Sequence, residues 1–422
     1  MAVHIHSGES VLMALTTLRE NKMRSFLTVL GVVIGITALL SVVAILVGVY
    51  SDLNAFLSDF GPNTLFIFKF DAGIHTSGRL SREELARKPL TLEDAKAIEQ
   101  LCPAVQAVSA AVIPRFEESG RGKIQTARYK GKEAAGVDYH GVLPEDEVVF
   151  NSRAERGRYL TESENLHRSD VALIGPDLAK ALYQDEDPLG KPILVDGVSY
   201  QVIGVMARRK GQLMKGDATE KAILVPYRTY QRHRPMDDEN LIGAVAYPGR
   251  LAEAEDEIRG VLRRRRNVPF DKPDNFGVSS AKEIADQFRD ITASVALLIA
   301  VVSSIGLLVG GVGVMNIMLM SVTQRTREIG VRKAIGARRR DIIMQFLIEA
   351  MVLTGSGGVI GVLLGLGISL LLNFALPHLP SSVPLWSIVV AVGVSMSVGV
   401  FFGMYPAIKA ARLDPVEALR YE

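Results

Sequence analysis

Hydrophobic and polar positions are segregated along this chain far more sharply than its average composition shows. No Asp, Glu, Lys or Arg occurs over 25–51, 291–324 or 350–408. A membrane-spanning helix needs about 20 apolar residues, so the three runs predict one, one and two spans. Residues 52–290, between the first two runs, form one large charged block with globular patterning. There, 64–70 reads as a strand, and Thr91 with Asp94 forms a capping-box start to a helix with Leu92, Ala95 and Ile98 on its apolar face. Residues 105–113 read as the next strand. The same strand–helix–strand order returns at 241–247, 251–264 and 276–279. The stretch between them, about 114–228, is β-rich, and Asp196-Gly197 between 193–195 and 198–202 is a two-residue hairpin signal. The expected fold is a membrane protein with four transmembrane helices and a large extracytoplasmic α+β domain carrying a β-rich insertion.

Two helices are predicted to be longer than a bilayer requires. The first span meets no helix breaker until Gly61-Pro62. The second begins at a capping box, Ser280 with Glu283, and contains no proline through 320. At 1.5 Å per residue both exceed the ~30 Å hydrocarbon core, so both are expected to continue into the outer domain as a stalk. Residues 10–22 read as a short amphipathic helix with Val11, Leu12, Leu15 and Leu18 on one face, lying in the membrane interface.

Lys and Arg near the span ends set the orientation. Arg19, Lys22 and Arg24 precede span one, seven basic residues from Arg325 to Arg340 separate spans two and three, and Lys409, Arg412 and Arg420 follow span four. All fall on one side, which makes both termini cytoplasmic and 52–290 external. The expected divisions are a cytoplasmic helix 1–24, span one at 25–51, the outer domain 52–290, span two at 291–320, a cytoplasmic loop 321–341, span three at 346–374, span four at 386–405 and a tail 406–422.

Composition adds exclusions. Net charge is only +2, and no basic cluster calls for nucleic acid. The single cysteine, Cys102, rules out an intramolecular disulfide, and the seven histidines are scattered, with no carboxylate or cysteine cluster joining the His4-x-His6 pair, so no metal site is expected. No GxxxxGK[ST] phosphate loop occurs, and the chain is not expected to hydrolyse ATP or to bind a cofactor directly.

The densest functional signal is the loop 321–341. Ile329, Val331 and Ile335 are apolar in a charged surrounding, and Gly330 and Gly336 bracket the segment 331–335. A short helix with an apolar face suits a groove on another protein, whereas basic residues alone would suit anionic lipid. Glycines four apart recur in every span, at Gly31/Gly35, Gly306/Gly310, Gly357/Gly361/Gly365 and Gly399/Gly403. Small residues at this spacing let helices approach closely. They predict tight packing of the four helices plus a contact between subunits. Asn316 in span two is expected to make an interhelical hydrogen bond, and Glu349, near the cytoplasmic end of span three, to snorkel.

Three stretches carry a family resemblance: VMNIMLMSVTQRTREIGVRKAIGAR at 314–338, FLIEA at 346–350 and YPAIKAARLDPVEAL at 405–419. They resemble the span-two, coupling-loop and terminal motifs of MacB-like ABC export permeases, the FtsX-like permease family. The order of one span, a large outer domain and three spans matches as well. The resemblance implies an outer domain with a porter-like α/β part and an inserted β-rich part. It also implies an ABC ATPase subunit as a separate polypeptide, with ATP and Mg on that partner, and a homodimer of the permease in the bacterial inner membrane. A periplasmic adaptor and an outer-membrane channel are further implied partners. By position in the family motif, Glu328, Ile329, Gly330, Val331, Arg332, Lys333, Ile335, Gly336, Ala337 and Arg338 form the ATPase-coupling element. Val331, Ile335 and Gly336 would pack, and Glu328, Arg332 and Lys333 would pair with charges. The implied activity is mechanical export of a drug, peptide or lipid-linked molecule. Release of lipoproteins, transmission of a signal to cell-wall hydrolases and a receptor role without an ATPase stand as the other readings.

Overall fold

The structure, a computed structural model, describes residues 22–70, 84, 86–113, 125–208, 220–376 and 379–420. The amphipathic helix expected over 10–22 lies, but for Lys22, outside the described residues. The chain divides into two units, 50–291 and the remainder.

In chain order the helices and strands are α1 (Lys22–Ser58), β1 (Thr64–Phe68), α2 (Leu92–Leu101), β2 (Val105–Ile113), β3 (Thr126–Tyr129), β4 (Lys132–Ala135) and β5 (Asp138–Val142). There follow α3 (Asp146–Val149), β6 (Ala154–Gly157), α4 (Glu162–His167), β7 (Val171–Ile174), α5 (Pro176–Tyr183), β8 (Pro192–Val195), β9 (Val198–Met206), β10 (Ala222–Pro226) and α6 (Tyr227–His233). Then come β11 (Glu239–Ala246), α7 (Leu251–Arg265), β12 (Gly277–Ser280), α8 (Ala281–Gln324), α9 (Thr326–Ala334), α10 (Arg339–Ala375), α11 (Leu385–Ala411) and α12 (Pro415–Arg420).

The unit 50–291 is organised by one sheet, in the order β12-β1-β11-β2-β5-β10-β7-β9-β8-β3-β4, with β6 on β9. The two α/β segments expected from the sequence meet in its first four strands. β1 runs antiparallel to both β11 and β12, with Leu65 opposite Ala244 and Ser280. Successive residues of a strand face opposite sides, and the TLFIF of β1 is apolar on both. Leu65 and Ile67 join Ile98 of α2 and Ile258 of α7 in one core. Phe66 joins Leu57, Phe150, Ala281 and Ala285 in another. The expected capping box is formed, with Thr91 accepting from the Asp94 amide and Asp94 from the Thr91 amide. The Asp196-Gly197 turn is formed too: both residues have positive φ, 46° and 92°, as a tight type I′ hairpin requires.

The inserted part is β-rich as expected, it also contains helices α3 to α5, and its strands continue the main sheet. β2 is long enough to pair with β11 along its length and, at Ala111 and Val112, with Val142 and Gly141 of β5. That pairing makes the sheet continuous.

Among the described residues four helices are long and apolar enough to cross a membrane, α1, α8, α10 and α11. α8 begins at the expected capping box: the Ser280 amide donates to Glu283 at 2.9 Å and the Glu283 amide to Ser280 at 3.1 Å. The helix then runs unbroken to Gln324. α11 extends past the expected end of span four, with Pro406 inside it.

The glycine rows each meet a neighbouring helix of the same chain. A Cβ placed on Gly31 would lie 3.0 Å from the Gly310 Cα, and Gly306 faces Gly35. Gly357, Gly361 and Gly365 receive Val32, Ile36 and Leu40 of α1. Gly399 and Gly403 approach Ala350 of α10. Each row thus packs within this chain's own bundle. Thr37 donates to the Gly361 carbonyl at 3.1 Å and Ser395 to the Thr354 carbonyl at 2.5 Å, so polar side chains bridge the same helix pairs. Two further expectations are corrected. Asn316 is exposed on α8 and forms no interhelical bond among the described residues. Glu349 does not snorkel: it is 3% exposed and pairs with Arg325 at 3.4 Å, which sits just before α9.

Candidate functional site

The loop expected to couple to an ATPase is built from α9 and the turn that follows. The helix starts at Thr326, so Gly330 lies within it instead of bracketing its start. The correction follows from packing: Thr326, Ile329 and Gly330 form a stripe at helical spacing, and all three are buried. Ile329, 1% exposed, joins Val322, Ile342, Phe346 and Ala410 in the core at this end of the bundle. Burial of one such side chain stabilises by about 1.5–3 kcal/mol.

The opposite face carries the apolar residues that lack such cover. Val331 is 41% exposed and Ile335 is 72% exposed, one helical turn apart. Glu328, on the same face, holds Arg332 at 2.6 Å. Arg332 also reaches back, donating to Gln345 Oε1 of α10 at 2.9 Å. Lys333 turns inward and donates to the carbonyls of Ala411 and Leu413, at the C-terminal end of α11. There its charge meets the negative end of the helix dipole.

The helix stops at Gly336 by a Schellman motif. The Gly336 amide donates to the Lys333 carbonyl at 3.1 Å and the Ala337 amide to the Arg332 carbonyl at 3.0 Å. Its φ is +106°, which a residue with a Cβ adopts only under strain. Arg338 then precedes α10, and its amide donates to Asp341 at 3.0 Å.

The ten residues taken together from the sequence therefore divide. Ile329, Gly330 and Lys333 anchor the helix to the bundle, and Gly336 and Ala337 shape its end. Glu328, Val331, Ile335 and Arg338 face outward, with Arg332 bridging both sides. The structure also adds residues that sequence reasoning missed. Gln345 and the carbonyls of Ala411 and Leu413 fix the helix, and their distance along the chain gave no signal. Among the described residues no cluster of His, Cys, Asp and Glu could hold a metal ion.

Comparison with known proteins agrees with this layout. A family model described as MacB-like periplasmic core domain matches 25–261, and one described as FtsX-like permease C-terminal matches 300–415. A macrolide export ATP-binding/permease protein MacB from Bdellovibrio bacteriovorus is 36% identical over 428 residues, spanning 100% of this chain and 62% of that protein. The chain thus covers less than two thirds of that relative. An ABC transporter permease of Bacillus subtilis, YvrN, is 34% identical over 420 residues, spanning 98% of this chain and 100% of that one. Among solved structures, the periplasmic region of MacB from Actinobacillus actinomycetemcomitans aligns with a TM-score of 0.44 at 18% identity, over 55% of this chain and 95% of the other.

Proposed function

Because the chain belongs to the MacB-like, FtsX-like family of ABC permeases, we propose that it is the permease subunit of an export system powered by a separate ATPase. ATP binding and hydrolysis on that partner drive movement of the outer domain, which expels a drug, peptide or lipid-linked molecule. The permease role named for YvrN supports a permease subunit, and the export named for the MacB relative supports the direction of transport. The permease acts as a homodimer in the bacterial inner membrane with both termini in the cytoplasm, in line with the one-sided Lys and Arg distribution. A periplasmic adaptor and an outer-membrane channel would complete the route.

One observation carries the coupling role: α9 is buried at Ile329 yet exposes Val331 and Ile335 on its far face. A helix gripped by the bundle on one side and apolar on the other can pass a push from a docked partner into the membrane helices. A lipid-tethering loop would need the arginines but not this apolar pair. Val331→Asp with Ile335→Asp tests the reading. The double variant is expected to insert normally, lose co-purification with the co-expressed ATPase and lose transport. Retained co-purification with full transport would overturn it.

A further inference from the structure

The unit 50–291 has an open cavity of about 570 Å³, within the usual range of small-molecule sites. No residue of α9 lines it, and its lining is mixed in chemistry. Part of that lining is aromatic. Phe56 of α1, Phe60 beyond that helix, Phe66 and Phe68 of β1, and Phe150 after α3 all line it. Phe60 meets Phe56 at 5.0 Å, Phe66 at 5.1 Å and Phe150 at 6.1 Å, each edge to face. Among the described residues four carboxylates line it, on Asp59, Asp138, Asp146 and Glu220, against two guanidiniums, on Arg153 and Arg208, and Arg208 is already paired with Asp177 and Glu220. Strand β5 contributes a polar pair. Asp138 and His140 are two apart on that strand, so they share a face, and both line the cavity.

Two features of this pair point to a ligand. Among the described residues Asp138 pairs with His140 alone, at 2.6 Å from Nε2, and with no lysine or arginine. His140 Nδ1 is buried and has no hydrogen-bond partner. A carboxylate only accepts, so Nε2 donates to Asp138, and Nδ1 is left as a buried ring nitrogen without a partner. A carboxylate held by no lysine or arginine thus lies beside an unpartnered ring nitrogen in a largely apolar cavity. The complement is a molecule with an apolar body and a positive charge. The phenylalanine faces reinforce the match, since aromatic rings attract cations as well as hydrocarbon.

We propose that this cavity binds an amphipathic organic cation, its apolar body against the five phenylalanines and its positive charge beside Asp138 and His140. Nothing in this assignment depends on the coupling role of α9, because binding requires neither the ATPase nor ATP.

The test is equilibrium binding to the full chain in lipid nanodiscs, with empty discs of the same lipid as the blank. Tetraphenylphosphonium and tetraphenylborate serve as probes, being alike in size and opposite in charge. The expected result is saturable binding of one tetraphenylphosphonium per chain, at least tenfold tighter than tetraphenylborate. Asp138→Asn, which keeps the shape and removes the charge, is expected to weaken the cation about tenfold and leave the anion unchanged or improved. No saturable cation binding above the blank would overturn the proposal, as would equal binding of both ions. Unchanged cation affinity in a folded Asp138→Asn variant would also overturn it. If that variant does not fold, the charge preference of the unaltered chain decides the outcome.

Discussion

Lys333 Nζ donates to the Ala411 carbonyl at 3.0 Å and so ties the loop helix α9 to the end of α11. The two residues belong to different parts of the chain, and their bond holds the base against which the exposed Val331 and Ile335 are presented. Lys333→Met is expected to cost about 1–2 kcal/mol, the usual range for a charge-assisted bond at a helix end. Hydrogen exchange at the Arg412 and Leu413 amides is expected to rise, and Lys333→Arg to restore part of the protection. An unchanged exchange pattern in Lys333→Met would show that the contact contributes nothing to the fold.

Close approach of α1 and α8 depends on Gly31. A Cβ there would stand 3.0 Å from the Gly310 Cα, and backbone cannot give way as a side chain can. Gly31→Val is expected to destabilise the bundle by about 1–3 kcal/mol, as overpacking does. By contrast, a Cβ on Gly367 would meet nothing within 4 Å. Gly367→Ala is therefore expected to be neutral or slightly stabilising, because alanine favours helix. Thermal unfolding of the two variants in the same detergent checks the contrast.

If coupling runs along α8, the helix must stay intact between Ala281 and Gln324. Asp286→Pro removes a backbone bond inside it and costs about 3 kcal/mol locally. The lost carboxylate is a small matter, since its pair with Arg289 at 3.3 Å is solvent-exposed and Asp286→Ala controls for it. Asp286→Pro is expected to keep ATPase binding and lose transport, while Asp286→Ala keeps both. Normal transport by Asp286→Pro at normal expression would reject transmission through this helix.

Cys102 is 2% exposed at the end of α2. Burial, helped by the nearby Glu257 carboxylate, pushes its thiol up to about 11. Since the thiolate is the reactive form, the native chain is expected to resist a thiol-exchange reagent at pH 8 and to react fully once unfolded. Rapid labelling of the native protein would show that the α2 and α7 layer opens more readily than its packing implies.

Much of this architecture was legible in local pattern. The four spans came from runs without charge, and the length of α8 from the Ser280 and Glu283 capping box with no proline after it. The hairpin at Asp196-Gly197 came from turn chemistry, and the helix at Leu92 from its own cap. Each of these rests on residues within a few positions of one another, where backbone preference and period decide the outcome. The motif at 314–338 likewise marked the segment proposed to couple to the ATPase.

Tertiary structure decided what no local pattern could. Whether Ile329 or Val331 turns inward depends on Ile342, Phe346 and Ala410, far along the chain. The partner of each glycine row was undetermined because any two rows could have met. Glu349 is buried with Arg325, and Asn316 is exposed, because the rotation of each helix is set by its neighbours and not by its own polarity. The inserted strands join the main sheet through Ala111 and Val142, a pairing across a loop that sequence leaves open. The cavity follows from the same cause: Phe60 and His140 stand 80 positions apart along the numbering, and only the folded sheet brings both into the lining of one cavity.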